Sequence, residues 1–140
     1  MKNRSFDSFW LALACGLLAM PLAAHHSISS EFDTSKTFTV SGTLTKVEWV
    51  NPHAYIYVES KDGKGPAVEY SLETGPPGNL RRAGVLKTMF TVGDRVTVDA
   101  YASKDGTRQL GLVRSIKFAD GHTIVMGKDP ADVEKLNKGE

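Results

Sequence analysis

The sequence predicts an all-β fold with one short helix, a small OB-like antiparallel barrel of five to six strands. Three observations predict it. Apolar residues alternate with polar ones over several short segments, the period of half-buried strands. Turn signals such as Asn51-Pro52, Lys104-Asp105-Gly106 and Asp120-Gly121 separate those segments. A single helix-like stretch falls between the third and fourth strands, where an OB barrel carries its helix. Another small antiparallel barrel or a sandwich is the alternative architecture.

Taken in order, Phe32 to Lys36 reads as a polar lead-in. Phe38, Val40 and Leu44 then alternate with threonine and serine until Gly42 interrupts the pattern. The apolar set resumes out of phase at Val47 and Trp49, which calls for a bulge in one long, bent strand. Asn51-Pro52-His53 is the turn that follows, and Ala54 to Val58 is a second strand rich in β-formers. Lys61 to Pro66 is a hairpin loop leading to a third strand in which Val68, Tyr70 and Leu72 alternate with Glu69, Ser71 and Glu73. Asn79 to Phe90 spaces its apolar residues for one short helix, irregular around Gly84. Val96, Val98 and Ala100 mark a fourth strand. Leu110, Leu112, Ile116 and Phe118 mark a fifth, with Arg114 breaking its apolar set, and His122 to Met126 is a short sixth.

The start of the chain has a different character. Lys2 and Arg4 precede an uncharged apolar run from Phe9 to Met20, then Pro21 and small residues. This is the three-part pattern of an export signal. The run falls short of the roughly 20 apolar residues of a spanning helix. The expected organisation is therefore a signal peptide over 1–24, an OB-like domain over 25–126 and a polar tail over 127–140. A periplasmic or secreted product without a stable membrane anchor follows. Cys15, the only cysteine, leaves with the leader, so the mature chain has no disulfide, thiolate ligand or cysteine nucleophile. Cleavage after Ala24 leaves fifteen basic and fifteen acidic residues. A neutral domain has no broad attraction for nucleic acid, which is not expected as a partner.

Ala24-His25-His26-Ser27, Lys46 to Ala54 (KVEWVNPHA), the Gly75 to Arg82 segment and Val92-Gly93-Asp94 together resemble a family of small exported bacterial proteins that carry a domain of unknown function. The resemblance runs from about Ala24 to about Val125 and implies a small β-barrel. It implies no particular activity. The chain departs from the family pattern at Ala83-Gly84-Val85, where an aromatic residue often follows the paired arginines.

The residues that can carry chemistry begin with His25 and His26. Cleavage after Ala24 presents an α-amine and an imidazole as one chelate, which His26 or His53 can complete. Cleavage after Ala23 gives Ala24-His25-His26, whose amine, backbone nitrogens and third-residue imidazole suit square-planar Cu(II) or Ni(II). His53 has the competing role of fixing its corner through a hydrogen bond. Trp49, Tyr55, Tyr57 and Tyr70, with Arg81 and Arg82, are the candidate surface for a ligand or partner. Packing in the core is the competing role for Trp49. Glu48, Glu69 and Glu73 are acidic, but strand alternation reads Glu69 and Glu73 as a solvated outer face. Nucleophile-elbow, zincin and phosphate-loop motifs are absent from the sequence. The expected function is non-enzymatic binding of a metal such as copper, a small ligand or an envelope protein. The alternatives are an interaction module without metal and, last, a small redox or hydrolytic enzyme.

Overall fold

The structure, a computed structural model, describes residues 28–61 and 65–126. Its elements are α1 (Ile28–Glu31), β1 (Phe32–Glu48), β2 (Tyr55–Ser60), β3 (Val68–Glu73), α2 (Pro77–Arg82), a 3-10 turn (Lys87–Met89), β4 (Arg95–Ser103), β5 (Leu110–Phe118) and β6 (Thr123–Val125). The strands lie in the order β3-β2-β1-β4-β5-β6, and a further contact between β3 and β5 closes β1 to β5 into a ring. That connectivity, with its helix between β3 and β4, is OB-like, as the sequence pattern predicts. The closing contact is parallel and short, from Ser71↔Leu110 to Glu73↔Leu112, whereas the other pairings are antiparallel.

The first strand makes the ring possible. Its 17 residues pair with β4 from Phe32 to Thr43 and with β2 from Thr43 to Glu48. At the changeover a Cβ on Gly42 would sit 2.1 Å from the Glu59 carbonyl oxygen, so only glycine permits this approach. Leu44 pairs with Val58 and Lys46 with Tyr57, which leaves Thr45 as a bulge. The bulge shifts the inward set from Val40 and Leu44 to Val47 and explains the change of phase in the sequence.

Ring closure also depends on a missing side chain. A Cβ on Gly111 would lie 2.6 Å from the Phe38 ring, which packs on the core beside Tyr70. The core itself is built on inward residues such as Leu44, Ile56, Val58, Leu72, Val98 and Ile116, each no more than 1% exposed. Burying each such side chain is worth about 1.5–3 kcal/mol.

Two boundaries differ from the sequence reading. Phe32 to Lys36 is strand rather than a lead-in. Phe32 pairs with Ser103 and is buried with Tyr101 and Leu112 in a second cluster. Its polar neighbours are accommodated by an insertion between the Asp33↔Ala102 and Thr37↔Tyr101 pairs, where Asp33 accepts from Ser35. The helix is displaced and divided: it starts at Pro77 and ends at Arg82, and Lys87–Met89 follows as a separate 3-10 turn. Pro77 at the first helical position sets that start, because its fixed φ suits a first turn and its missing N–H costs nothing there. Arg114 interrupts β5 because it is the extra residue opposite the Asp99–Ala100 step, and its guanidinium lies 5.2 Å from the Tyr101 ring centre. Among the described residues no helix is long and apolar enough to cross a membrane.

Candidate functional site

The corner between β1 and β2 is held to the end of β3 by backbone hydrogen bonds. Ala54 N–H donates to the Gly75 carbonyl at 3.2 Å, and Thr74 N–H donates to the Ala54 carbonyl at 2.8 Å. The Thr74 hydroxyl donates to the same Ala54 oxygen at 3.0 Å. Ala54 is fully buried, and a small side chain is what lets the two segments approach. Beyond the corner, alternation turns Ile56 and Val58 inward and Tyr55 and Tyr57 outward.

This arrangement brings two side chains onto one carboxylate. Tyr55 stands directly opposite Glu73, and its hydroxyl donates to Glu73 Oε2 at 2.9 Å. His53 Nδ1 contacts the other oxygen, Oε1. The Glu73 side chain is only 5% exposed, while the His53 ring is 23% exposed. Burial raises the Glu73 carboxyl above its ordinary value, and the contacts from Tyr55 and His53 oppose that rise. Burial, followed by the Glu73 charge, pushes the Tyr55 phenol well above the ordinary tyrosine range. Glu31 also acts on both groups, so the end of α1 lies within electrostatic reach of the cluster. Phe32, anchored on Tyr101 and Leu112, and the Lys104 N–H bond to the Glu31 carbonyl at 2.8 Å fasten that segment.

A polar network continues across the outer face. Glu48 is the Cα partner of Tyr55 on the other side, accepts from the Tyr57 hydroxyl at 2.8 Å and pairs with Lys46. The Lys46 contact holds the Glu48 carboxyl below its ordinary value. The Lys46 ammonium also sits 4.8 Å from the Tyr57 ring centre.

The residues singled out from sequence divide into separate places. His53 and Tyr55 meet at Glu73, and Tyr57 lies in the next row. Trp49 instead packs on Phe90, with ring centres 5.9 Å apart, and Tyr70 packs on Phe38 at 6.1 Å. The four aromatics therefore do not form one surface: the Thr45 bulge and strand alternation direct two inward and two outward. Arg81 and Arg82 are exposed on α2, and Arg82 donates to Asn79. His25 and His26 lie outside the described residues. Glu73 departs from the solvated reading. It does face outward, but the Tyr55 and His53 side chains enclose it. The usable signal in sequence was its shared parity with Tyr55, and the enclosure depends on the corner.

Fold and site together define a small all-β ring protein whose outer face carries an imidazole and a phenol on a buried carboxylate. The chain belongs to the family of unknown function DUF6152, whose sequence model matches residues 12–125. No curated protein sequence matches the chain. A crystal structure of the mitochondrial single-stranded DNA-binding protein Rim1 of S. cerevisiae is similar to it, with a TM-score of 0.47 and 12% identity. That similarity covers 60% of this chain and 93% of that one.

Proposed function

We propose that this chain is an exported, non-enzymatic binding protein that holds a copper-type divalent ion between its mature N-terminus and His53. The observation that carries the reading is the contact between His53 Nδ1 and the buried Glu73 carboxylate. With Glu73 ionised, its oxygen holds the Nδ1 proton and leaves the Nε2 lone pair free for a metal. A carboxylate behind a ligating imidazole fixes the tautomer and raises its basicity. Among the described residues no group of three or more His, Cys, Asp or Glu side chains is placed to hold a metal. The remaining ligands would be the new α-amine, His25 and His26. The chain path favours this: His26 is two residues before Ile28, at most about 7 Å of extended chain, and Glu31 lies within electrostatic reach of the cluster.

Intact mass fixes the mature N-terminus, and Cu(II) titration by calorimetry with paramagnetic resonance then tests the site. One tight equivalent is expected, lost both on His53→Ala and on extending the N-terminus by two residues. Binding that survives both changes removes the proposal.

The second reading, an interaction module without metal, rests on exposed apolar residues at one end of the ring. Val50 and Met89 are 57% and 42% exposed, and each adjoins a member of the Trp49–Phe90 contact. This reading expects no stoichiometric copper and a protein partner whose binding is lost on Val50→Ser and Met89→Ser.

A further inference from the structure

We infer that a second site, a cationic groove on the outer face of β1, β4 and β5, binds a small polyanion carrying phosphate or carboxylate groups. The groove has a volume of about 710 Å³, within the range of sites that take small ligands. Lys61 at the exit of β2, Arg95 at the start of β4 and Lys117 near the end of β5 line it, against a single carboxylate, Glu59. None of the three cations is in an ion pair among the described residues. Three cations facing one acid is a local excess, because the whole chain carries a formal charge of only +1.

The register explains why these side chains converge. Thr97 is the Cα partner of both Ser41 and Lys117, while Thr43 is the partner of both Arg95 and Glu59. Arg95 is thus a diagonal neighbour of Lys117, with Cα atoms about 7–8 Å apart. Lys61 comes from the other side of β1. Between the cations runs a floor of hydroxyls. Ser41 Oγ and Thr97 Oγ1 share a hydrogen bond of 2.8 Å, and Arg95 Nη1 donates to Thr43 Oγ1 at 3.3 Å. That bond draws the guanidinium across the floor, where its remaining N–H groups suit a planar or tetrahedral oxyanion. Gly42 and Ala119 also line the groove. Asp99, in the adjoining row, does not line the groove, and its two oxygens accept from Thr39 and Ser115 at 2.6 and 3.3 Å.

The test is amide NMR titration of the purified protein with tripolyphosphate, and separately with citrate, at low salt. Saturable shifts confined to residues 41–43, 59–61, 95–97 and 117–119 are expected. Tripolyphosphate binding should weaken at least tenfold in Arg95→Ala and disappear in Arg95→Ala/Lys117→Ala. Lys87→Ala, on the remote 3-10 turn, should leave it unchanged. The preferred probe distinguishes a phosphate ligand from a carboxylate one. These residues are on the surface, and the spectrum outside the groove reports that each variant is folded. The proposal is overturned by no saturable shift at millimolar probe, or by shifts that persist in the double variant. It is also overturned by a thymidine oligonucleotide that binds the same residues more tightly than either small anion.

Discussion

Removing the Glu73 carboxylate tests how the site is held together. Its two oxygens are engaged by different side chains, Tyr55 and His53, at a position only 5% exposed. A hydrogen bond to a charged group is worth about 1.5–3 kcal/mol, and a buried group left without a partner costs about 1–3 kcal/mol. Glu73→Gln keeps the shape and one acceptor oxygen and relieves the burial of charge that raises this carboxyl. Its net cost should be near 1 kcal/mol. Glu73→Ala leaves the Tyr55 hydroxyl and His53 Nδ1 without a partner and opens a small void, so about 2–4 kcal/mol is expected. Urea unfolding monitored by Trp49 fluorescence measures both, with the slope unchanged and the midpoint displaced. The Glu73→Gln variant should also bind Cu(II) about 10–100-fold more weakly, the usual effect of removing the partner behind a ligating imidazole. Equal stability of Glu73→Ala and wild type, within about 0.5 kcal/mol, would refute the assignment of Glu73 as the organising group.

Three further outcomes follow from the geometry. Gly42→Ala places a methyl 2.1 Å from the Glu59 carbonyl oxygen, so β1 and β2 must separate; a loss of at least about 2 kcal/mol in urea unfolding is expected, and a variant as stable as wild type contradicts the close approach. Gly111→Ala meets the tip of the Phe38 ring rather than backbone; a cost of about 1–3 kcal/mol should be partly recovered by adding Phe38→Leu, and additive losses would count against that contact. Asp105 accepts from the Ser103 hydroxyl and the Thr107 N–H, which hold its carboxyl below the ordinary 3.8. A carboxyl lowered on folding stabilises above its unfolded pKa and loses that effect as pH falls through the folded value. Asp105→Asn should therefore be less stable than wild type at pH 7, with the gap narrowing as the pH is taken below 3.8, and a pH-independent gap would count against it.

Local pattern carried much of the architecture because its rules act over a few residues. The alternation of Val96, Val98 and Ala100 requires a half-buried strand wherever the chain goes. The phase change between Leu44 and Val47 requires an extra residue, found at Thr45. The Asp33–Lys36 stretch misled because composition measures polarity, whereas pairing there is decided by Phe32 finding Tyr101 and Leu112, far away in sequence. The helix boundary depended on Pro77, whose missing N–H is harmless at a first turn.

Sequence by itself determined the strand segments, the bend in the first of them, the helix between the third and fourth, and the histidine at the corner. Only tertiary structure decided that β3 meets β5, that Trp49 and Tyr70 turn away from Tyr55 and Tyr57, and that Glu73 is enclosed instead of solvated. The physical reason is range. Alternation and turn chemistry are set by neighbours along the chain. The surroundings of a carboxylate are set by whichever side chains the closed ring brings across from other strands, and for Glu73 those are Tyr55 and His53.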